Sequence, residues 1–246
     1  MPKYIINNMD DITTLAEQLN TSDLDELDLN DTIPLNYSFI PIIRSLSNKS
    51  ITKLNLSNNI ISNSNMIELN TVLKTNSVLT HLYLSNINSG ELMFGLNILL
   101  NDWLKTNNTL VYLDLSSNYI DNNMIETLCK SIKTKKSLQS LILNNNIITN
   151  KGAITLYHTI LDSNIVELNL DNNDIDYIYT LLIQKRIKNN IYMNTFWSSP
   201  ESMYIFNQKM CKIMNRCLLY SKYNISLYLP NELWIHIFSY LKRNDF

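Results

Sequence analysis

The chain has 246 residues, 45% of them hydrophobic, with 20 basic and 22 acidic side chains and a net charge of −2. That is enough apolar surface for a continuous core, and the near-balanced charge with no basic block argues against nucleic acid as a partner. Three glycines are too few for phosphate-cradling loops, and the three cysteines, Cys129, Cys211 and Cys217, are not spaced as metal ligands.

The N-terminus, MPKYIINNMDDITT, shows no long apolar run after a basic start, so no signal peptide is expected. No stretch reaches the ~18 apolar residues of a membrane span. Reduced thiols, and a glycosylation acceptor at Asn55 that falls inside a predicted strand, fit an intracellular protein of the cytoplasm or nucleus.

In chain order, Met9 to Asn20 reads as an amphipathic helix with Ile12, Leu15, Ala16 and Leu19 on one face and Asp10 or Asp11 as N-cap. A degraded motif, LDELDLNDTIP, follows at Leu24, and then a helix from Leu35 to Ser47. The motif becomes clear at Ile51, as ITKLNLSNNII. Met66, Leu69, Val72 and Leu73 predict the helix after it. A weaker copy, LTHLYLSNINS, starts at Leu79 and is followed by extra residues, so a local irregularity is expected there. Clean copies start at Leu110 (LVYLDLSSNYI), Leu138 (LQSLILNNNII) and Ile165 (IVELNLDNNDI). The helix between the first two carries Met124, Leu128 and Ile132 on one face, with Ile125 and Cys129 beside them. The next is predicted to carry Ile154, Tyr157, His158 and Leu161 on its apolar side. Tyr177 to Lys188 predicts a helix, and Ile191 to Met193 falls where a seventh strand would start.

The copies begin at intervals of about 27, 28, 31, 28 and 27 residues, the spacing of a solenoid whose coils bury their apolar faces only against one another. In each copy Leu-x-x-Leu-x-Leu predicts a short strand. Positions four and six point inward, as Leu113 and Leu115 do in the fourth copy. Successive strands form a parallel sheet, and the intervening helices cover it. At position nine the chain turns out of the strand, and a buried asparagine amide there can satisfy the freed backbone groups. Asn59, Asn118, Asn146 and Asn173 hold that position and should stack as a column. The third copy has Ile87 instead.

Over residues 24–190 this motif and interval resemble the ribonuclease-inhibitor-like class of leucine-rich repeats. The resemblance implies an α/β leucine-rich-repeat solenoid, one parallel strand and one helix per coil, binding protein on a concave, strand-lined side. The solenoid with its N-terminal cap is expected to span 1–198 and a helical C-terminal segment 199–246. Positions two, three and five face outward on the concave side. The partner-binding candidates there are Lys53, His81, Tyr83, Tyr112, Asp114 and Ile142, with the aromatics meeting in the middle, since neighbouring strands lie ~4.8 Å apart. Tyrosine combines contact area with a polar handle. The same residues also read as ordinary outward strand positions.

The repeat breaks at the C-terminus. Pro200 to Leu219 reads as a helical cap, with Met203, Phe206, Met210, Ile213, Met214 and Cys217 on one side. The final segment, LYLPNELWIHIFSYLKRNDF, starts a helix at Pro230, with Glu232 near its positive end. Leu229, Pro230, Glu232, Leu233, Ile237, Phe238, Tyr240, Leu241 and Asp245 resemble the opening of an F-box. That resemblance implies docking to the Skp-type adaptor of cullin-based ubiquitin ligases. The chain stops after Asp245-Phe246, short of a full F-box, and a plain solenoid cap fits the same pattern.

Nothing suggests catalysis. His81, His158 and His236 are far apart in sequence, and no nucleophile completes a set with His81 and Asp114. No cofactor or metal is implied. The expected function is protein binding without chemistry, as the substrate-recognition subunit of a cullin-type (SCF) ubiquitin ligase. The alternative is a stand-alone scaffold or inhibitor in which the last helix is only a cap.

Overall fold

The computed structural model describes residues 9–21, 24–33, 38–47, 51–87, 94–133, 135–161 and 163–198. The chain divides into two compact units, Met1–Tyr192 and Met193–Phe246. The expected cap helix at Pro200 to Leu219 and the F-box-like residues Leu229, Pro230, Glu232, Leu233, Ile237, Phe238 and Leu241 lie outside the described residues.

The first unit is the solenoid. Six strands of three residues each pair in chain order as a single parallel sheet: β1 (Glu26–Asp28), β2 (Lys53–Asn55), β3 (His81–Tyr83), β4 (Tyr112–Asp114), β5 (Ser140–Ile142) and β6 (Glu167–Asn169). The register repeats without slippage, so the inward leucine of each strand, Leu27, Leu54, Leu82, Leu113, Leu141 and Leu168, sits beside its neighbour's. The first five of these are buried, as are the position-six leucines Leu29, Leu56, Leu84, Leu115, Leu143 and Leu170. Leu168 is only half-buried because β6 ends the sheet.

The helices form the second layer. α1 (Met9–Thr21) buries Ile12, Leu15, Ala16 and Leu19, and it carries Asp10 and Asp11 in its first turn. Of the helix predicted from Leu35 to Ser47, the described residues include α2 (Ile40–Ser45), with Pro41 in its first turn. α3 (Asn63–Leu73) is capped by the Ser62 hydroxyl, which accepts from Asn65 N at 3.3 Å, and α6 (Asn122–Ile132) by the Asp121 carboxylate, which accepts from Met124 N at 2.9 Å. Such side chains satisfy the orphan N–H groups of a helix start. Both helices bury the residues the period predicted, Cys129 included. In the third coil the extra length breaks the helix into α4 (Phe94–Asn101) and α5 (Trp103–Thr106), with Asp102 between them, and Trp103 turns into the core.

Two expectations need correction. α7 (Asn150–Ile160) buries Gly152, Ala153, Leu156, Thr159 and Ile160, while Ile154 and His158 are exposed. The small Gly152 and Ala153 define the packed side, one residue around from the larger apolar residues that suggested a face. Nor does a seventh strand start at Ile191, because α8 (Tyr177–Ser198) continues through those residues as one helix. α8 closes the last coil from the helix side. Ile183 is buried, Arg186 donates to the Leu161 carbonyl at 2.7 Å, and the buried Asn190 amide donates to the Ile165 carbonyl at 2.9 Å.

The position-nine asparagines stitch each coil to the one before it. Asn59 Nδ2 donates to Leu56 O in its own coil and to Leu29 O in the previous one, at 2.9 and 2.8 Å, while its Oδ1 accepts from Thr32 N and Ile33 N. Asn146 repeats this with Leu143 O, Leu115 O, Asn118 N and Ile120 N. Asn173 bonds Leu170 O, Leu143 O and Ile148 N. A second column lies one residue earlier. Asp31, Asn58, Asn86, Ser117, Asn145 and Asn172 all have φ between 51° and 57°, a left-handed conformation that Asn and Asp tolerate best among non-glycine residues. The Asn-Asn pair in several copies is the sequence signal for this turn.

Candidate binding face

Period-2 alternation fixes this face. Burying the position-four and position-six leucines turns positions three and five outward on every strand. β3 supplies His81 and Tyr83, β4 supplies Tyr112 and Asp114, and the register sets His81 beside Tyr112 and Tyr83 beside Asp114. The three rings gather as predicted. Tyr83 and Tyr112 have centroids 4.9 Å apart at 39°, and His81 stacks on Tyr112 at 5.7 Å and 18° and on Tyr83 at 6.5 Å and 20°. Each is half-buried. The sheet sets this arrangement, because strands ~4.8 Å apart bring His81 and Tyr112 together in one row, and Tyr83, two residues along β3, reaches Tyr112 on the diagonal.

The surroundings set the charge of this cluster. His81 Nδ1 lies 2.8 Å from the Thr80 hydroxyl. Burial, and then the Lys53 ammonium, hold the imidazole below its ordinary 6.5, against a smaller upward pull from Glu26. The ring is therefore neutral at physiological pH. Burial pushes the Tyr112 phenol up to about 12, and the carboxylates of Asp114 and Glu167 contribute to the rise, so its hydroxyl remains a donor. Among the described residues, neither tyrosine hydroxyl makes a hydrogen bond within the chain.

Lys53 does not stand free beside the aromatics. Its ammonium is bonded to the Glu26 carboxylate of β1, which raises its pKa. Position alternation placed both residues on this face, but the flexibility of both side chains hid their pairing. Asp114 Oδ1 accepts from the Ser116 N–H at 2.9 Å and from its hydroxyl at 2.7 Å. This is the local turn that short carboxylate and amide side chains make two residues on, and Asp28, Asn55 and Asn169 make it too. Asp114 thus combines a structural bond with exposure on the face. Ile142 lies half-buried between Asp114 and Asn169 in the position-five row. The pair next to Tyr112 was missed from the sequence: the Ser140 hydroxyl donates to the Glu167 carboxylate across the β5–β6 boundary.

Strand, turn and helix recur around one asparagine-stitched core, so the first unit is an α/β leucine-rich-repeat solenoid. No protein-family model matches the chain, and no curated protein matches it in sequence. Among solved structures it is similar to leiomodin-1 actin-binding site 2, at 14% identity and a TM-score of 0.50, covering 84% of this chain and 99% of that one. It is also similar to the tropomodulin C-terminal domain of Caenorhabditis elegans, at 12% identity and a TM-score of 0.52, covering 76% of this chain and 98% of that one. At those identities the likeness describes the fold. No helix among the described residues is long and apolar enough to cross a membrane.

Proposed function

We propose that this chain is a protein-interaction module that performs no chemistry itself, and that its partner docks on the strand-lined face around His81, Tyr83 and Tyr112. The observation that carries this reading is the aromatic stack, three half-buried rings from two adjacent strands on the outward face of the sheet. Aromatic anchors supply much of the energy at protein interfaces. Such solenoids bind many unrelated proteins, so the fold alone names no partner. The matching region of leiomodin-1 is its actin-binding site 2, so actin belongs among the probes.

The finer reading is a substrate-recognition subunit of a cullin-type (SCF) ubiquitin ligase. It is supported by the sequence of the C-terminal segment, where Leu229, Pro230, Glu232, Leu233, Ile237, Phe238 and Leu241 follow the F-box opening. The mechanism is tethering: holding adaptor and captured protein on one chain raises their effective concentration to each other. The alternative is a stand-alone scaffold or inhibitor whose last helix only caps the solenoid. Co-purification with the Skp-type adaptor separates the two. Pro230→Ala with Leu233→Asp should abolish adaptor retention while leaving the repeat unit folded. If the unaltered chain retains no adaptor, the ligase reading fails, and if a chain ending at Ser226 loses cooperative unfolding, the segment is a cap.

A further inference from the structure

Along the sheet the position-three row reads Glu26, Lys53, His81, Tyr112, Ser140, Glu167. The aromatic stack ends at Tyr112 because the next side chain is a serine. One strand spacing, ~4.8 Å, leaves room for a flat group against a ring, and the in-row neighbours His81 and Tyr112 stack at 5.7 Å. The row therefore steps down over Ser140, with the Tyr112 ring on one side and, on the other, the exposed Glu167 carboxylate, which accepts from the Ser140 hydroxyl through one oxygen and leaves the other to a partner. Asp114 projects from the same face of β4, two residues on from Tyr112, and Glu167 lies two strands along the same row.

The face is negatively charged. Its outward positions two, three and five carry Asp25, Glu26, Asp28, Asp114 and Glu167 against one cation, Lys53, whose charge is matched by Glu26. A complementary group must be cationic. It must also be flat, to lie on a ring, and forked, to reach two carboxylates. A guanidinium meets all three demands, whereas an ammonium is a compact point charge.

We infer that the step over Ser140 receives an arginine side chain of the protein partner, its guanidinium lying on the Tyr112 ring and hydrogen-bonded to Glu167 and Asp114. This site presupposes that the strand-lined face is the protein-binding surface proposed above. The neutral His81 behind Tyr112 leaves no opposing charge in the stack.

The test uses the full chain and three dye-labelled Gly-Ser peptides of equal length, carrying two arginines, two lysines or two citrullines, read by fluorescence anisotropy. The arginine peptide should bind at least ~5-fold tighter than the lysine peptide, with the citrulline peptide weaker still. Ser140→Phe, which fills the step, and Tyr112→Ala should each weaken arginine binding by at least ~5-fold. Glu126→Gln, on an outer helix, should leave it unchanged. Equal binding of arginine and lysine peptides, or a Ser140→Phe chain that binds like the unaltered one, overturns the site. A photo-crosslinker at position 83 separates the two levels. If it captures protein in cells while the arginine peptide does not bind, the face stands and the arginine site falls. If it captures none, the face falls, and the site with it.

Discussion

Asn118 serves the third coil, which has Ile87 and no asparagine at its own position nine. Its Oδ1 accepts from the Ile87 N–H at 3.0 Å, and its Nδ2 donates to the Leu84 carbonyl at 2.6 Å. Both partners belong to the third coil, and Asn118 is fully buried. The second coil, which would have received an amide from position 87, instead has the Ile61 N–H donating to the Ile87 carbonyl at 3.0 Å. A backbone oxygen thus replaces a side-chain one at the irregular coil.

Asn118→Ala is therefore expected to act on the third coil, where both side-chain partners lie. It leaves a buried N–H and a buried carbonyl without partners, at ~1–3 kcal/mol each. A loss of about 2–4 kcal/mol is expected in urea denaturation, with no rescue by Asn118→Asp, whose second oxygen would face the Leu84 carbonyl. A loss below about 1 kcal/mol would mean that water substitutes for the amide.

What could be read in the sequence was the part fixed by periodicity. Leu113 and Leu115 declare a strand and its inward face, and the aligned copies declare the register that brings His81, Tyr83 and Tyr112 together. What could not be read depends on side-chain reach or on packing. The direction in which Asn118 works, back into the previous coil, follows from how coils stack and not from any one copy. The buried face of α7 is set by where Gly152 and Ala153 approach α6, so Ile154 and His158 suggested the wrong side. α8 runs on through Ile191, which no local pattern announces. The pairings of Lys53 with Glu26 and of Ser140 with Glu167 join residues on different strands through rotatable side chains.

The two helical glycines should differ in tolerance. A Cβ at Gly95 would lie 2.6 Å from Met66 Cβ and 3.0 Å from both Asn63 Cα and Asn63 O, so it would push against the backbone of α3. A Cβ at Gly152 would meet Asn122 Oδ1 and Ile148 Cγ2, both at 2.6 Å, which are side-chain and not backbone atoms. Alanine gains ~1 kcal/mol of helix propensity at either site. Gly95→Ala should nevertheless lose about 1–3 kcal/mol through the clash and lower the melting temperature more than Gly152→Ala. The reverse order would contradict the packing of α4 on α3.

His81 makes stability depend on mild acid. In the unfolded chain the ring titrates near 6.5, and in the fold it titrates lower because of burial and Lys53. Between those values the unfolded chain holds more proton, so stability falls as pH drops through 6.5 and levels off below the folded value. His81→Gln should flatten this part of the stability–pH curve, measured by urea midpoint from pH 7.5 to 4.5. An unchanged slope would mean that the ring is not held neutral by the stack.

Tyr112 has the opposite sign. Its phenol is held at about 12 in the fold against an ordinary 10, so between those values the folded chain keeps a proton that the unfolded chain releases. Stability should decline as pH rises from about 10 to about 12, and Tyr112→Phe should remove that share of the decline. Ultraviolet difference titration of the two proteins would show the missing phenolate appearing late, near the alkaline unfolding transition. Its appearance at about 10 would place the ring in free solvent.

Lys135 occupies a position that asparagine fills in the two preceding coils. Three residues before the first leucine of a copy stand Asn76, whose Oδ1 accepts from Val78 N and Leu79 N at 3.0 and 2.8 Å, and Asn107, which accepts from Thr109 N and Leu110 N at the same distances. Lys135 precedes Leu138 by the same interval, but it has no oxygen to offer. Its ammonium reaches back into the previous coil and donates to the Lys105 carbonyl at 2.8 Å, to Asn108 Oδ1 at 3.1 Å and to the Asn107 carbonyl. The residue is 6% exposed, and it meets the carbonyls at the end of α5, where the helix dipole favours a cation. Lys135→Met keeps the apolar stem and removes the donors, so about 1.5–3 kcal/mol should be lost. Lys135→Asn restores the oxygen that caps the following turn but cannot span the coils, so it should recover only part of that loss. A Lys135→Asn chain as stable as the unaltered one in urea denaturation would show that the clamp between coils contributes nothing beyond the local cap.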